Sequence, residues 1–242
     1  MLIIPAIDLK DGKCVRLLQG DFNQSTVYSD HPADIAARWQ KEGAKRIHVV
    51  DLDGSREGSP RNMNVIREIV RTVNTPLQVG GGIRDMKTVD SYINMGVTYV
   101  ILGTVALKDK QFVLDACAAY RGHIILAIDA RDGKIAVEGW TESTDRSPAE
   151  IASGYRGLGL DSIIYTDIQR DGMESGVNIA STKMLAESVD IPIIASGGVA
   201  SIHDIKKLVE AGEPGIMGVI TGKALYSGAL KLEDAIAAAA AS

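Results

Sequence analysis

The sequence predicts an α/β fold, a single (β/α)8 TIM barrel spanning residues 1–242, on three observations. Eight short apolar runs rich in Ile and Val recur along the chain, stretches of helical spacing alternate with them, and the first half of the pattern is written again in the second. Runs that are apolar on both faces suit parallel strands covered by helices on one side and packed into a core on the other.

In chain order, the runs are LIIPAID (2–8), RIHVVD (46–51), PLQVGGG (76–82), YVILGT (99–104), HIILAID (123–129), SIIYTD (162–167), PIIASGG (192–198) and IMGVITG (216–222). Each is followed by a segment of helical spacing. DIAARWQKEG follows the first, NMNVIREIVRTV the second, TVDSYINMG the third and QFVLDACAAY the fourth. PAEIASGYRGLG, NIASTKMLAESV, IHDIKKLVEAG and LEDAIAAAA follow the fifth to eighth. Several open near Asn, Asp or Ser and close on Gly, as helix starts and stops do. Parallel neighbours joined by right-handed crossovers leave an open doubly wound sheet or a closed barrel.

The repeat decides between them. AIDLKDGK (6–13) returns as AIDARDGK (127–134), DLDGSREGSPRN (51–62) as DIQRDGMESGVN (167–178), GGGI (80–83) as SGGV (196–199), and LGTVAL (102–107) as TGKALY (221–226). Four strand ends in nearly constant register make two half-repeats of about 1–121 and 122–242. A closed ring accommodates such halves directly, whereas an open sheet would break the symmetry at its edges.

Composition bounds the partners. With 45% hydrophobic and 24% charged residues the chain has material for a large core, and a net charge of −5 argues against nucleic acid as the main partner. Two cysteines, Cys14 and Cys117, are too few for a disulfide framework, and no His–Cys cluster has metal-ligand spacing. The amino terminus lacks a basic region and meets Asp8, and the apolar tail AIAAAAAS is too short to span a bilayer. The expectation is a cytoplasmic monomer with no metal site, membrane contact or nucleic-acid partner.

Barrel active sites lie at the carboxyl ends of the strands. The closing residues here are Asp8, Asp51, Gly80–Gly82, Gly103 and Thr104, Asp129, Asp167, Ser196–Gly198, and Thr221–Lys223, so acids alternate with glycines. Strands one and five stand opposite one another in a ring of eight, so Asp8 and Asp129 face each other across the mouth, an arrangement for acid and base on two sides of one substrate. Glycines after strands three, four, seven and eight free backbone N–H groups to face an anion. Grouped as three with four and seven with eight, they make two cups on opposite sides of the mouth, suited to a ligand with a phosphate at each end. His48, inside the second run, reads as a packed strand histidine.

The motifs PAIDLKDGKCVRLLQGD, VVDLDG, VGGGIR, TDIQRDG, SGGV and GKALY, in this order, closely resemble those of the ProFAR isomerases of histidine biosynthesis, and the likeness runs from end to end. The resemblance implies an Amadori rearrangement, an internal aldose-to-ketose isomerisation of a bis-phosphorylated imidazole carboxamide ribotide to PRFAR, with no cofactor. It implies that Asp8 is the general base acting on C2′ and Asp129 the general acid, with Asp171 in the loop QRDGM as the rival acid. Arg16, Gly81, Gly82, Gly103, Thr104, Thr166, Ser196, Gly197, Gly198, Gly222 and Lys223 lie in segments that resemble substrate- or phosphate-contacting ones. Trp140, in EGWTEST, resembles an aromatic of a mobile loop that stacks on the imidazole. RDGMESGVN departs from the family pattern, since Met173 replaces a Thr and its hydroxyl.

Alternatives stay open at this stage. The sister cyclase, imidazole glycerol phosphate synthase, would show a Cys in the first-strand motif, whereas the chain reads IPAID there and GKALY after the eighth strand. A dual-substrate isomerase that also acts on phosphoribosylanthranilate would carry an extra Arg after strand five, and GWTESTDRS offers Arg146. A non-catalytic phosphosugar-binding barrel would have no need of both acids.

Overall fold

The structure, a computed structural model, describes residues 1–18, 21–137, 142–143 and 145–240. Its barrel strands are Leu2–Lys10, Ile47–Asp51, Leu77–Gly80, Tyr99–Leu102, Ile124–Arg131, Ser162–Asp167, Ile193–Ser196 and Ile216–Thr221. Each pairs in parallel with the next, and the eighth returns to the first, with Leu2 opposite Gly218 and Pro5 opposite Thr221. The ring is closed, with helices between the strands, as the sequence predicts for the (β/α)8 class.

The two-sided apolar character of the runs follows from this geometry. Ile4, Ala6, Ile101, Ile125, Ile164, Ile194 and Ile220 fill the inside of the barrel. Alternate residues of the same strands, among them Ile3, Val49, Val79, Val100, Leu126, Ile163 and Val219, pack outward in a larger core with the helices. Those helices are Pro32–Lys41, Met63–Thr72, Met86–Met95, Lys110–Ala119, Pro148–Ser153, Ile179–Ser188, Ile202–Glu210 and Leu232–Ala240. Their starts are fixed chemically: Asp85 accepts from Thr88 N, Asp109 from Phe112 N and Asn178 from Ser181 N, and Ser201 forms a capping box with Asp204. Cys14 and Cys117 are both buried thiols. Among the described residues no helix is long and apolar enough to cross a membrane.

Two hairpin excursions were not expected. The first strand runs on past Asp8 to Lys10 and turns into Lys13–Leu18, which pairs in turn with Asp21–Ser29. The fifth runs past Asp129 to Arg131 and turns into Lys134–Val137, paired with Glu142–Ser143. The turns are the DG pairs of the repeated opening motif: Asp11 and Gly12 have φ of 50° and 78°, Asp132 and Gly133 of 52° and 76°. Positive φ at both central residues is the hairpin geometry that Asp-Gly favours.

Candidate active site

The strand-end acids divide into two kinds. Asp51, fully buried, accepts from the backbone N–H groups of Gly54, Arg61 and Asn62 and from Asn62 Nδ2, all at 2.7–2.8 Å. Asp167 likewise accepts from Gln169 N and from Asn178 Nδ2. With these oxygens occupied, Asp51 and Asp167 shape the loops that follow strands two and six, which differs from the sequence expectation that all strand-end acids are candidates for chemistry.

Asp8 and Asp129 instead line one cavity of about 270 Å³ at the carboxyl ends of the strands. Arg16, Gly81, Gly82, Gly103, Thr104, Thr166, Asp171 and Ser196 line it too. A smaller cavity shares Arg16, Asp171 and Ser196 with it and is bounded by Gly197, Gly198, Gly222 and Lys223. The expected glycine groups thus lie on the two cavities, and Trp140 falls outside the described residues. His48, expected as core packing, lines the larger cavity, as do Ser55 and Arg84, which the sequence reading did not single out. Strand alternation places His48 on the face of Val50, and Arg84 follows the third-strand glycines by two residues, so both signals were present in the motifs.

The hairpin after the first strand folds Arg16 back over the mouth. Its Nη1 lies 2.5 Å from Asp8 Oδ2 and its Nη2 3.0 Å from Asp171 Oδ1, so one guanidinium joins a strand-end acid to a loop acid. Burial works against the Arg16 charge, but Asp8 and Asp171 outweigh it and raise its pKa. Burial pushes the Asp171 carboxyl above the ordinary carboxylate range; Arg16 opposes this and Asp8 adds to it. The first strand is held from behind by Tyr226, whose hydroxyl donates to Ala6 O at 2.8 Å and whose ring stacks on Tyr28.

The loop after strand six lies against the second glycine group. Lys223 Nζ donates to Gly172 O at 2.9 Å and sits 3.6 Å from Glu174 Oε2. Met173 is about half exposed. Arg146 has its Nε 3.6 Å from Glu150 Oε1, one turn along the surface helix Pro148–Ser153. Among the described residues no group of three His, Cys, Asp or Glu side chains is placed to hold a metal ion.

The strand-end glycines are tied to the loops before them. Gly81 has φ of 110°, and a Cβ there would stand 2.2 Å from Asp51 O; at Gly197 it would stand 2.6 Å from Asp167 O. Gly122 has φ of 80° with nothing within 4 Å of the added carbon. Gly81→Ala is therefore expected to combine backbone strain, costing about 1–3 kcal/mol, with a backbone clash, and to lower Tm by several degrees. Gly122→Ala incurs the strain alone and lowers Tm less. Thermal unfolding of the two variants checks this, and equal shifts would contradict it.

Over residues 2–231 the sequence matches the family described as "Histidine biosynthesis protein". It is 59% identical, over the full length of both chains, to a protein of Syntrophus aciditrophicus (strain SB). It is 51% identical to one of Azoarcus sp. (strain BH72), over 97% of this chain and 94% of the relative. It is 49% identical to one of Desulfatibacillum aliphaticivorans, over 99% and 96%. Each of these relatives is named 1-(5-phosphoribosyl)-5-((5-phosphoribosylamino)methylideneamino)imidazole-4-carboxamide isomerase.

Proposed function

The chain belongs to the histidine biosynthesis protein family, and from that premise we propose that it is an isomerase converting ProFAR to PRFAR by an Amadori rearrangement. The observation that carries the reading is the ion-pair chain Asp8–Arg16–Asp171 set at a barrel mouth between two glycine groups. A bis-phosphorylated substrate suits that mouth: one phosphate against Gly81, Gly82, Gly103 and Thr104, the other against Ser196, Gly197, Gly198, Gly222 and Lys223, with backbone N–H groups as donors. Thr166 and Asp129 would border the reacting ribose, and Trp140 would cover the imidazole.

In this reading the furanose oxygen takes a proton as the C1′–O bond breaks, giving an open-chain imine. Asp8 then removes the proton from C2′ of the N-protonated imine, the electron pair forms the C1′=C2′ double bond of the neutral enolamine as C=N becomes C–N, and addition of a proton to C1′ with loss of the proton of the C2′ hydroxyl gives the aminoketose. The acid must remain protonated near neutrality. Asp171 is supported for that step by the burial that raises its pKa and by its place one guanidinium away from Asp8, whereas the sequence expectation ranked Asp129 first. For Asp8 to act, Arg16 must loosen its bond to the carboxylate, and an arriving phosphate, another bidentate partner for a guanidinium, supplies the exchange.

We propose further that residues 1–242 form one domain built of half-repeats 1–121 and 122–242. The matched contacts of Gly81 on Asp51 and Gly197 on Asp167, and of Asn62 and Asn178 on the same two acids, support this. The enzyme is taken to act as a cytoplasmic monomer without a cofactor. Purified protein incubated with ProFAR and, separately, with phosphoribosylanthranilate tests the reading: conversion of ProFAR is expected. Conversion of phosphoribosylanthranilate alone would overturn it. Turnover of both would revive the dual-substrate alternative, which rests on Arg146, an arginine near Glu150 on a surface helix.

A further inference from the structure

A line of polar side chains runs through the otherwise aliphatic interior of the barrel, from the amino-terminal ends of the strands toward the mouth. At its base Arg46, just before the second strand, makes two bonds to Asp161, just before the sixth: Nη1 to Oδ2 at 2.8 Å and Nη2 to Oδ1 at 3.2 Å. Arg46 is 5% exposed and its guanidinium lies 3.8 Å from the centre of the Tyr99 ring. Its Nη1 also reaches Gln78 Oε1 at 3.5 Å, and Gln78, wholly buried on the third strand, places Nε2 2.9 Å from His48 Nδ1. His48 lines the larger cavity at the mouth.

We propose that Asp161, Arg46 and Gln78 act as a positioning chain that presents His48 to the ligand as a neutral imidazole with its proton on Nε2. The order of donors dictates this. A guanidinium only donates, so the Gln78 atom facing Arg46 is the amide oxygen and the atom facing His48 is the NH2 group. That group donates, so Nδ1 accepts, and in a neutral imidazole the remaining nitrogen then carries the hydrogen. Burial, with the nearby Arg16 charge adding to it, pushes the His48 pKa down to about 3, which keeps the ring neutral across the working range. Replacing this line with aliphatic side chains would complete the packing of the inner core, yet the chain retains four polar residues in series, three of them with no direct access to the mouth.

The consequence at the mouth is an N–H donor on a ring that lines the larger cavity together with Asp8, Asp129 and Asp171. That an oxygen of the ligand accepts this bond rests on the isomerase reading; the protonation pattern of His48 does not. Gln78→Glu provides the test. It keeps the size of the side chain and the pairing with Arg46, but an ionised carboxylate only accepts, so Nδ1 must become the N–H and Nε2 loses its donor role unless the ring is also protonated.

The measurement is the ¹⁵N spectrum of the His48 ring in the full-length wild type and in Gln78→Glu, with kcat and KM for ProFAR. The expected wild-type ring carries hydrogen on Nε2 and none on Nδ1 near neutral pH. In Gln78→Glu, Nδ1 becomes protonated and kcat falls about 10- to 100-fold, taking as a guide the loss when a partner that orients a metal-bound histidine is removed, with KM changing less. A wild-type ring protonated on Nδ1 would overturn the proposal without any variant, and so would an unaltered ring pattern in Gln78→Glu, or an unaltered kcat in that variant with Nε2 shown to carry no hydrogen. Absence of ProFAR turnover in the wild type would instead defeat the isomerase reading while the ring pattern still decided the positioning chain.

Discussion

Asp8→Asn is expected to bind the bis-phosphorylated substrate nearly as well as the wild type while its turnover falls by at least about 10²- to 10⁴-fold, the contribution of a positioned general base. The amide is the same size as the carboxylate and sits in a strand paired on both sides at this position, opposite Val15 and Val50, and held from behind by Tyr226. It lacks the basicity to take a proton from C2′. Losing the charge also releases one arm of Arg16, which keeps its bond to Asp171 3.0 Å away. Removing one partner of a buried ion pair is costly, so a measured Tm accompanies the kinetics and separates lost chemistry from lost fold. Turnover within a few-fold of wild type would remove Asp8 from the base role.

The second large effect separates the two remaining acids. Asp171→Asn is expected to cut kcat more deeply than Asp129→Asn, although both impair turnover. Asp171 is carried by a loop containing Gly172 and Gly176, and it is already drawn to the mouth through Arg16. The sign of its pH dependence follows from its environment. Burial raises the carboxyl pKa, so the proton-donating form persists above the ordinary carboxylate range and is lost as pH rises through the raised value. If Asp171 is the acid, kcat is expected to fall on the alkaline side as that proton is lost, and Asp171→Asn is expected to remove this limb along with most of the rate. A deeper loss in Asp129→Asn, with the alkaline limb intact in Asp171→Asn, would return the acid role to Asp129.

The barrel was legible because its strands must be apolar on both faces while its helices need stops. Eight Ile- and Val-rich runs separated by capped helical segments leave few alternatives. The hairpins after Asp8 and Asp129 are less legible, because the same short motif carries both a strand-end acid and the Asp-Gly pair that turns the chain. Polar strands such as DFNQSTVYS give no apolar period to mark them.

Much of the mouth was also legible, because strand ends in a closed ring converge by geometry. Two kinds of information were not. Asp51 and Asp167 look like Asp8 and Asp129 in the sequence, and only the folded loops reveal that Asp51 accepts from three backbone N–H groups and Asp167 from Gln169 N and Asn178 Nδ2. His48 looks like any strand residue until Gln78, thirty positions away, meets its Nδ1. Side-chain partnerships across a barrel depend on register between strands, and a single sequence does not encode that register locally.

The most direct test of the central claim, that this mouth moves a proton from C2′ and returns one to C1′, is conversion of ProFAR by the wild-type protein in D2O with mass analysis of the product. A carboxylate that has taken the C2′ proton exchanges it with solvent before C1′ is protonated in at least part of the turnovers. The account predicts product carrying deuterium bound to C1′. Product wholly free of carbon-bound deuterium, or no product at all, would contradict it.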